Sequence, residues 1–225
     1  MTPSSQGSRS QTLDRGIWLL ELLAASSRPM TISQLTEITG LHRSIVYRLL
    51  RTLEDRHLIS RDLGDTYRLG YGLVTLTRGL VQDISALASF DLQTLADETD
   101  LAAFIVVQEG QEAMTLLVVE PTFPGSMFSL RIGYRHPVTA GAPGAALCSF
   151  SAPQEDEPAS VHHVRQHGFA TSIGEVMDGV HSVAAPLPGY RCPAAVAVTY
   201  MGDRDVEVLA NQVMKTAERI SRRFV

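Results

Sequence analysis

From residue 10 to residue 71 the apolar positions first keep helical spacing and then change period. Leu13, Ile17, Leu20 and Ala24 fall three to four residues apart, which predicts a first helix over roughly 11–25. "SSRPM" interrupts the pattern, and Pro29 ends any helix there. In "TISQLTEITG", Thr31 with Gln34 three residues later is a capping-box signature; Ile32, Leu35 and Ile38 supply an apolar side, and Gly40 a stop. Leu41 then opens a third helix, in which Val46, Leu49, Leu50 and Leu53 make one buried stripe. "LISRDLGDTYRLG" reads as two short strands about a Gly64-Asp65 turn. Helices joined by a tight turn and followed by such a hairpin form a winged helix-turn-helix.

Beyond residue 71, "GLVTLTRGLVQDISALASFDLQTLADETD" predicts a connecting helix over about 71–82 and a second to about 99. Its spare apolar residues point equally to a partner helix or to packing on the chain's own body. "LAAFIVVQEGQEAMTLLVVEP" is strand–turn–strand, "MFSLRIG" a third strand, and "VHSVAAPLPGYRCPAAVAVTY" a second hairpin. A closing amphipathic helix follows, with Val206, Leu209, Val213, Ala217 and Ile220 on one side. An antiparallel sheet with helices at its ends is an α+β arrangement. The expected organisation is therefore a tail over 1–9, a DNA-binding head over 10–70, a linker helix over 71–85 and a body over 86–225.

Charge sharpens this division. The whole chain carries a formal net charge of −5, yet "LHRSIVYRLLRTLEDRHLISRD" holds five arginines. Residues 1–70 carry a net +2 and residues 71–225 a net −7, so only the head suits a polyanion. Around the third helix, Ser44, Arg48 and Arg51 lie opposite the leucines, with Tyr47 on the flank and Arg43 in the first turn. Such a row suits the major groove, where arginine reads guanine edges or phosphates and hydroxyls bond phosphate oxygens. Thr31, Ser33 and His42 complete the expected DNA contacts on the helices, and Arg61 and Arg68 those on the wing. The bland alternative is an arginine-rich helix that keeps a small subdomain soluble, but helix spacing, turn, arginine face and basic hairpin all agree.

The stretches "LDRGIWLLELLA", "ISQLTEITGLHRSIVYRLLRTLEDRHLISRD" and "YRLGYGLVTL" resemble the DNA-binding head of the IclR family of bacterial transcription regulators. "GVHSVAAPL" and "AAVAVTY" resemble two adjacent strands of that family's effector pocket. The resemblance implies a GAF-like effector-binding body, binding to promoter DNA as a homodimer or tetramer, and control by a small metabolite.

"TAGAPGAALC" reads as a loop of small residues feeding a helix, where Gly141 and Gly144 let a ligand approach and free N–H groups favour a carboxylate. Tight helix-on-sheet packing would ask for the same residues. The resemblance places Gly141 and Ala142 at positions whose backbone contacts the effector, and Ser172, Ser182, Ala197 and Thr199 at other pocket-lining positions. The segment 151–168 is shorter than the family's, which keeps open a ligand-independent architectural DNA binder whose body only oligomerises.

Other chemistry finds little support. His162, His163 and His167 lack a clear set of companions, and a surface helix accounts for them better than a metal site. Neither Cys148 nor Cys192 lies in a nucleophile motif, so no catalytic residue and no cofactor are expected. Trp18 reads as a core or interface residue. With no run of about twenty apolar residues and no disulfide-type cysteine spacing, the expected setting is the cytoplasm, away from any membrane.

Overall fold

The structure, a computed structural model, describes residues 10–123 and 130–224, the side chains of residues 78–83 excepted. The tail expected at 1–9 lies outside the described residues. The chain divides into two compact units, up to Gly79 and from Leu80 to Val225.

In the first unit α1 spans Gln11–Ala25, β1 Met30–Thr31, α2 Ile32–Thr39, α3 Arg43–Asp55, β2 Ile59–Arg61 and β3 Thr66–Leu69. The capping box forms as its sequence spacing requires. Thr31 Oγ1 accepts from the Gln34 N–H at 3.3 Å, and the Thr31 N–H donates to Gln34 Oε1 at 2.8 Å. Gly40 ends α2 in left-handed backbone with φ +63°. Val46, Leu49 and Leu50 of α3 meet Leu35, Leu19, Leu23, Ile59 and Tyr67 in the core, with Leu53 packed at its edge. Each such aliphatic burial contributes about 1.5–3 kcal/mol. The wing hairpin is held by Asp62, whose carboxylate accepts from the Gly64 and Thr66 N–H groups at 3.0 and 3.1 Å and from Thr66 Oγ1 at 2.6 Å. These bonds pull its pKa below the usual carboxylate value. The two-residue β1 adds itself to the wing, giving the strand order β1-β3-β2.

Helical spacing gives α1 and α2, but it does not tell which apolar residues they bury. α1 buries Gly16, Leu19 and Leu23, while Leu13 and Ile17 are 63% and 46% exposed. The helix carries apolar residues on two sides, and the one that packs is the side of Leu19 and Leu23, which share a core with Val46, Leu49 and Leu50 of α3. Ile38 likewise stays outside at 51% exposure, because α2 buries only Leu35 fully.

A single helix, α4, spans Gly72–Thr99, where two had been expected. Its residues from Ile84 onward belong to the core of the second unit. There β4 spans Ala103–Glu109, β5 Glu112–Val119, β6 Arg135–Pro137, α5 Gly141–Cys148, α6 Ala159–His167, β7 Ala170–Ile173, β8 His181–Pro186, β9 Ala194–Tyr200 and α7 Val206–Ser221. The six strands form one antiparallel sheet in the order β6-β5-β4-β9-β8-β7. Of the third strand expected at 127–133, residues 127–129 lie outside the described residues and 130–133 turn, so the strand comes later, as β6.

Alternation along the strands separates two cores. Ala103, Ile105, Val107, Val196 and Val198 face α4 and α7, together with Leu92, Leu95, Leu209, Val213 and Ile220. Asp91 of α4, only 3% exposed, is held there by Arg219 at 3.1 Å and Arg223 at 2.7 Å. On the other face Phe104, Val106, Ala184, Ala195 and Ala197 lie under α5 and α6. "GAPGAALC" is thus a helix and not a loop, and its small residues let it lie close on the sheet. A Cβ on Gly144 would stand 2.3 Å from the Val138 carbonyl oxygen, so no other residue fits without moving backbone.

Candidate functional site

Two concave surfaces stand out, one in each unit. In the first, Thr31, Ser33, His42, Arg43, Ser44, Tyr47, Arg48 and Arg61 line one groove together with Ile32, Gly64 and Asp65. The turn at Gly40 sets the start of α3 beside the start of α2, and the hairpin closes the far side. His42 caps α3 through Nδ1, which accepts from the Ser44 N–H at 3.3 Å and lies 2.8 Å from Ser44 Oγ. Arg43 Nη1 donates to Ser33 Oγ at 3.2 Å. Tyr47 is 46% exposed and Arg48 is also exposed, opposite the buried Val46, Leu49 and Leu50.

The remaining two candidates lie apart from this groove. Arg51 is exposed one turn further along α3. Arg68 lines a neighbouring concavity of the wing with Glu54, Arg61 and Asp62. Thr31 reaches the groove with its hydroxyl already committed to the capping box, which suits fixing α2 more than reading a base. Arg61 Nη2 contacts Asp65 Oδ1 at 2.6 Å, a hydrogen bond that raises the guanidinium pKa further, and it lies 5.8 Å from the Tyr67 ring centre.

The second surface is a cavity of about 40 Å3 on the α5 face of the sheet. Every strand gives it one side chain: Phe104 from β4, Thr115 from β5, His136 from β6, Ser172 from β7, Ser182 from β8 and Thr199 from β9. Ser172 pairs with Ser182 and Ser182 with Thr199, so three hydroxyls stand in one row across three strands. Leu130, Tyr134, Pro143, Val176, Met177 and Val180 complete the wall. The space holds roughly a few waters, so a ring-sized ligand requires side chains of this wall to shift.

Thr199 Oγ1 is buried without a hydrogen-bond partner among the described residues. Burial lowers the pKa of His136, partly offset by its Nδ1 contact with the Pro137 carbonyl at 3.0 Å, so the ring favours its neutral form. The helix-start amides expected to be free are occupied. The Ala142 N–H donates to Ser172 Oγ and the Gly141 N–H to Glu175 Oε2, both at 2.8 Å. Ala197 shares a face with Thr199 but sits one row inward, between Phe104 and Ala184 in register and under α5, and does not line the cavity.

Thr115, Tyr134, His136 and the 176–180 stretch escaped sequence reasoning. The available signal was Thr115, a lone hydroxyl in the apolar run of β5; a register shift after Ile105 sets it opposite Val106. His163 and His167 place their rings 4.4 Å apart on α6, and His163 packs edge-on against Phe169 at 5.0 Å. Among the described residues no group of three His, Cys, Asp or Glu side chains is placed to hold a metal ion, and no helix is long and apolar enough to cross a membrane.

Residues 12–63 match the family model for the IclR helix-turn-helix domain. Over 250 aligned positions the chain is 25% identical to the HTH-type transcriptional regulator KipR of Bacillus subtilis, covering 96% of this chain and 98% of that one. It is 28% identical to the glycerol operon regulatory protein of Streptomyces coelicolor, over 85% and 84% of the two chains. Its fold is similar to that of an IclR homolog from Microbacterium hydrocarbonoxydans complexed with 4-hydroxybenzoate, with TM-score 0.81, 18% identity and coverage of 94% and 98%. An IclR regulator structure from Alicyclobacillus acidocaldarius gives a TM-score of 0.76 at 22% identity, over 96% and 99% of the chains. These curated relatives are transcriptional regulators.

Proposed function

We propose that this chain is an IclR-type transcriptional regulator that binds a palindromic operator through the α2–α3–wing groove, with an affinity set by a small carboxylate-bearing effector in the sheet cavity. The carrying observation is that one groove gathers eight of the ten residues expected to meet DNA, while the leucines of α3 face the core. Arg43, Arg48 and Tyr47 take base edges and phosphates, Arg51, Arg61 and Arg68 take flanking phosphates, and Thr31, Ser33, His42 and Ser44 hold the helix starts in register. Exposed Leu13, Ile17 and Trp18 on α1, with Tyr71, Val74 and Leu76 at the start of α4, supply apolar surface for a second copy of the chain. Twofold pairing of heads asks for a twofold operator. The working form is a cytoplasmic homodimer or tetramer.

Arg48→Ala tests the groove. Binding to an operator recovered by oligonucleotide selection weakens by about 1–3 kcal/mol if Arg48 reads a base. If it holds a phosphate, the slope of log affinity against log salt falls by about 1. Unchanged affinity and slope refute the assignment.

For the effector, the neighbour that holds 4-hydroxybenzoate supplies the ligand class and Thr199 a hydroxyl to receive it. An effector with unequal affinity for the DNA-bound and free forms changes operator affinity by that ratio. A second reading, a ligand-independent architectural DNA binder, draws on the small volume of the cavity and on the occupied amides at the start of α5. Thermal denaturation with a panel of small organic acids separates the two, because a sensor gains stability from some member and an architectural protein from none.

A further inference from the structure

Helix α5 starts without a cap of its own. Ala140 stands at the N-cap and makes no side-chain hydrogen bond to the first turn. Pro143 has no N–H to satisfy, which leaves the Gly141 and Ala142 amides as the donors at the helix start. Both are served from far along the chain, Ala142 by Ser172 Oγ and Gly141 by the Glu175 carboxylate. A carboxylate on amide donors at a positive helix end is the geometry an anionic ligand would adopt. Here the protein supplies that carboxylate itself.

Glu175 belongs to a short connection between β7 and β8 bounded by Gly174 and Gly179, both in left-handed backbone at φ +69° and +72°. The next residues, Val176 and Met177, form part of the cavity wall. Val176 presses on the helix start so closely that a Cβ on Gly141 would lie 2.8 Å from its Cγ2. One hydrogen bond therefore fixes both the helix start and this wall. Glu175 is itself an exposed residue, so its carboxylate regains water when it leaves. Independently, Thr199 Oγ1 is unpartnered among the described residues in a residue 8% exposed, on the same cavity.

We propose that Glu175 is the specificity-determining residue of this pocket: it occupies the Gly141 amide as an internal stand-in for a ligand carboxylate, and organic anions bind only by displacing it. The favoured ligand is an organic acid whose second polar group reaches Thr199. Release of Glu175 frees the 174–180 wall, which enlarges a cavity of only about 40 Å3. The proposal rests on the reading of this cavity as the effector site.

The test uses full-length protein, Glu175→Ala and Glu175→Gln, with acetate, benzoate and 4-hydroxybenzoate as anionic probes and the corresponding amides as neutral ones. Without ligand, Glu175→Ala speeds amide hydrogen exchange across the first turn of α5 and residues 174–180. In calorimetric titrations at least one carboxylate binds Glu175→Ala about tenfold tighter than wild type, one charge-assisted hydrogen bond's worth of competition. The amides change by less than about twofold, and Glu175→Gln falls between. Unaltered exchange, or equal changes for acids and amides, overturns the displacement proposal while leaving the pocket standing. Failure of all three proteins to bind any acid or amide overturns the pocket reading, and the proposal with it.

Discussion

Thr199→Val isolates the hydroxyl on which the ligand argument depends. Thr199 lies on central strand β9 with neighbours β4 and β8, its Oγ1 buried and unpartnered among the described residues. A buried hydroxyl without a partner costs about 1–3 kcal/mol, and valine fills the same shape on a strand without that cost. The ligand-free protein should gain about 1 kcal/mol, equivalent to about 2–4 °C in Tm for a chain of this size. Scanning calorimetry of the transition carrying the sheet unit measures this directly. The same substitution should shrink the stabilisation given by any bound organic acid, since the ligand loses an acceptor and donor at Thr199. A Tm that falls or stays put refutes the reasoning: the hydroxyl would then already be satisfied, and the row Ser172–Ser182–Thr199 would not mark a ligand position.

Three further substitutions test the frame around the sites. Gly144→Ala drives a Cβ to 2.3 Å from the Val138 carbonyl oxygen and should cost at least about 1–3 kcal/mol, whereas Gly16→Ala, with 3.9 Å of clearance inside α1, should stabilise by about 0.5–1 kcal/mol; urea midpoints compare them. Asp91→Ala removes the buried carboxylate between Arg219 and Arg223 and should cost about 1–3 kcal/mol, softened because both guanidiniums are partly exposed and can turn to water. His136 has its pKa lowered from 6.5 by burial, so below about pH 6.5 the unfolded chain binds a proton that the folded chain refuses. Stability contributed by the neutral ring is therefore full above 6.5 and declines as pH falls toward the folded value; His136→Asn should flatten that part of a Tm-against-pH curve.

Legibility in the sequence followed how far each signal was local. α3 and the wing announce themselves because one helix face is leucine, the other arginine, serine and tyrosine, and the hairpin turn is Gly64-Asp65. Spacing leaves the buried face of α1 open, since Leu13 and Ile17 keep helical spacing as well as Leu19 and Leu23 do. What decides between them is contact with α3, whose Leu49 and Leu50 share a core with Leu19 and Leu23. The stretch 139–148 reads as a loop feeding a helix, with helix-on-sheet packing as the alternative, because a helix buried from Gly141 to Leu147 has no polar side to give it a period. The DNA-facing candidates came from two neighbouring helices and one hairpin. The cavity draws one residue from each of six strands spread between Phe104 and Thr199, so no stretch of sequence displays it. Glu175 sits among "IGEVMDG", where nothing nearby says that its partner lies 34 positions earlier.

The ion pair between Arg61 and Asp65 bears on how the wing responds to ionic strength. A guanidinium that already carries its own counter-charge displaces less of the cation atmosphere when it reaches a phosphate, because Asp65 must be shed or brought along. The wing should thus behave as a partly neutralised finger, adding contact while contributing less than a full unit to the salt exponent. Asp65→Asn would unmask that charge, making binding tighter in dilute buffer and more readily undone by salt.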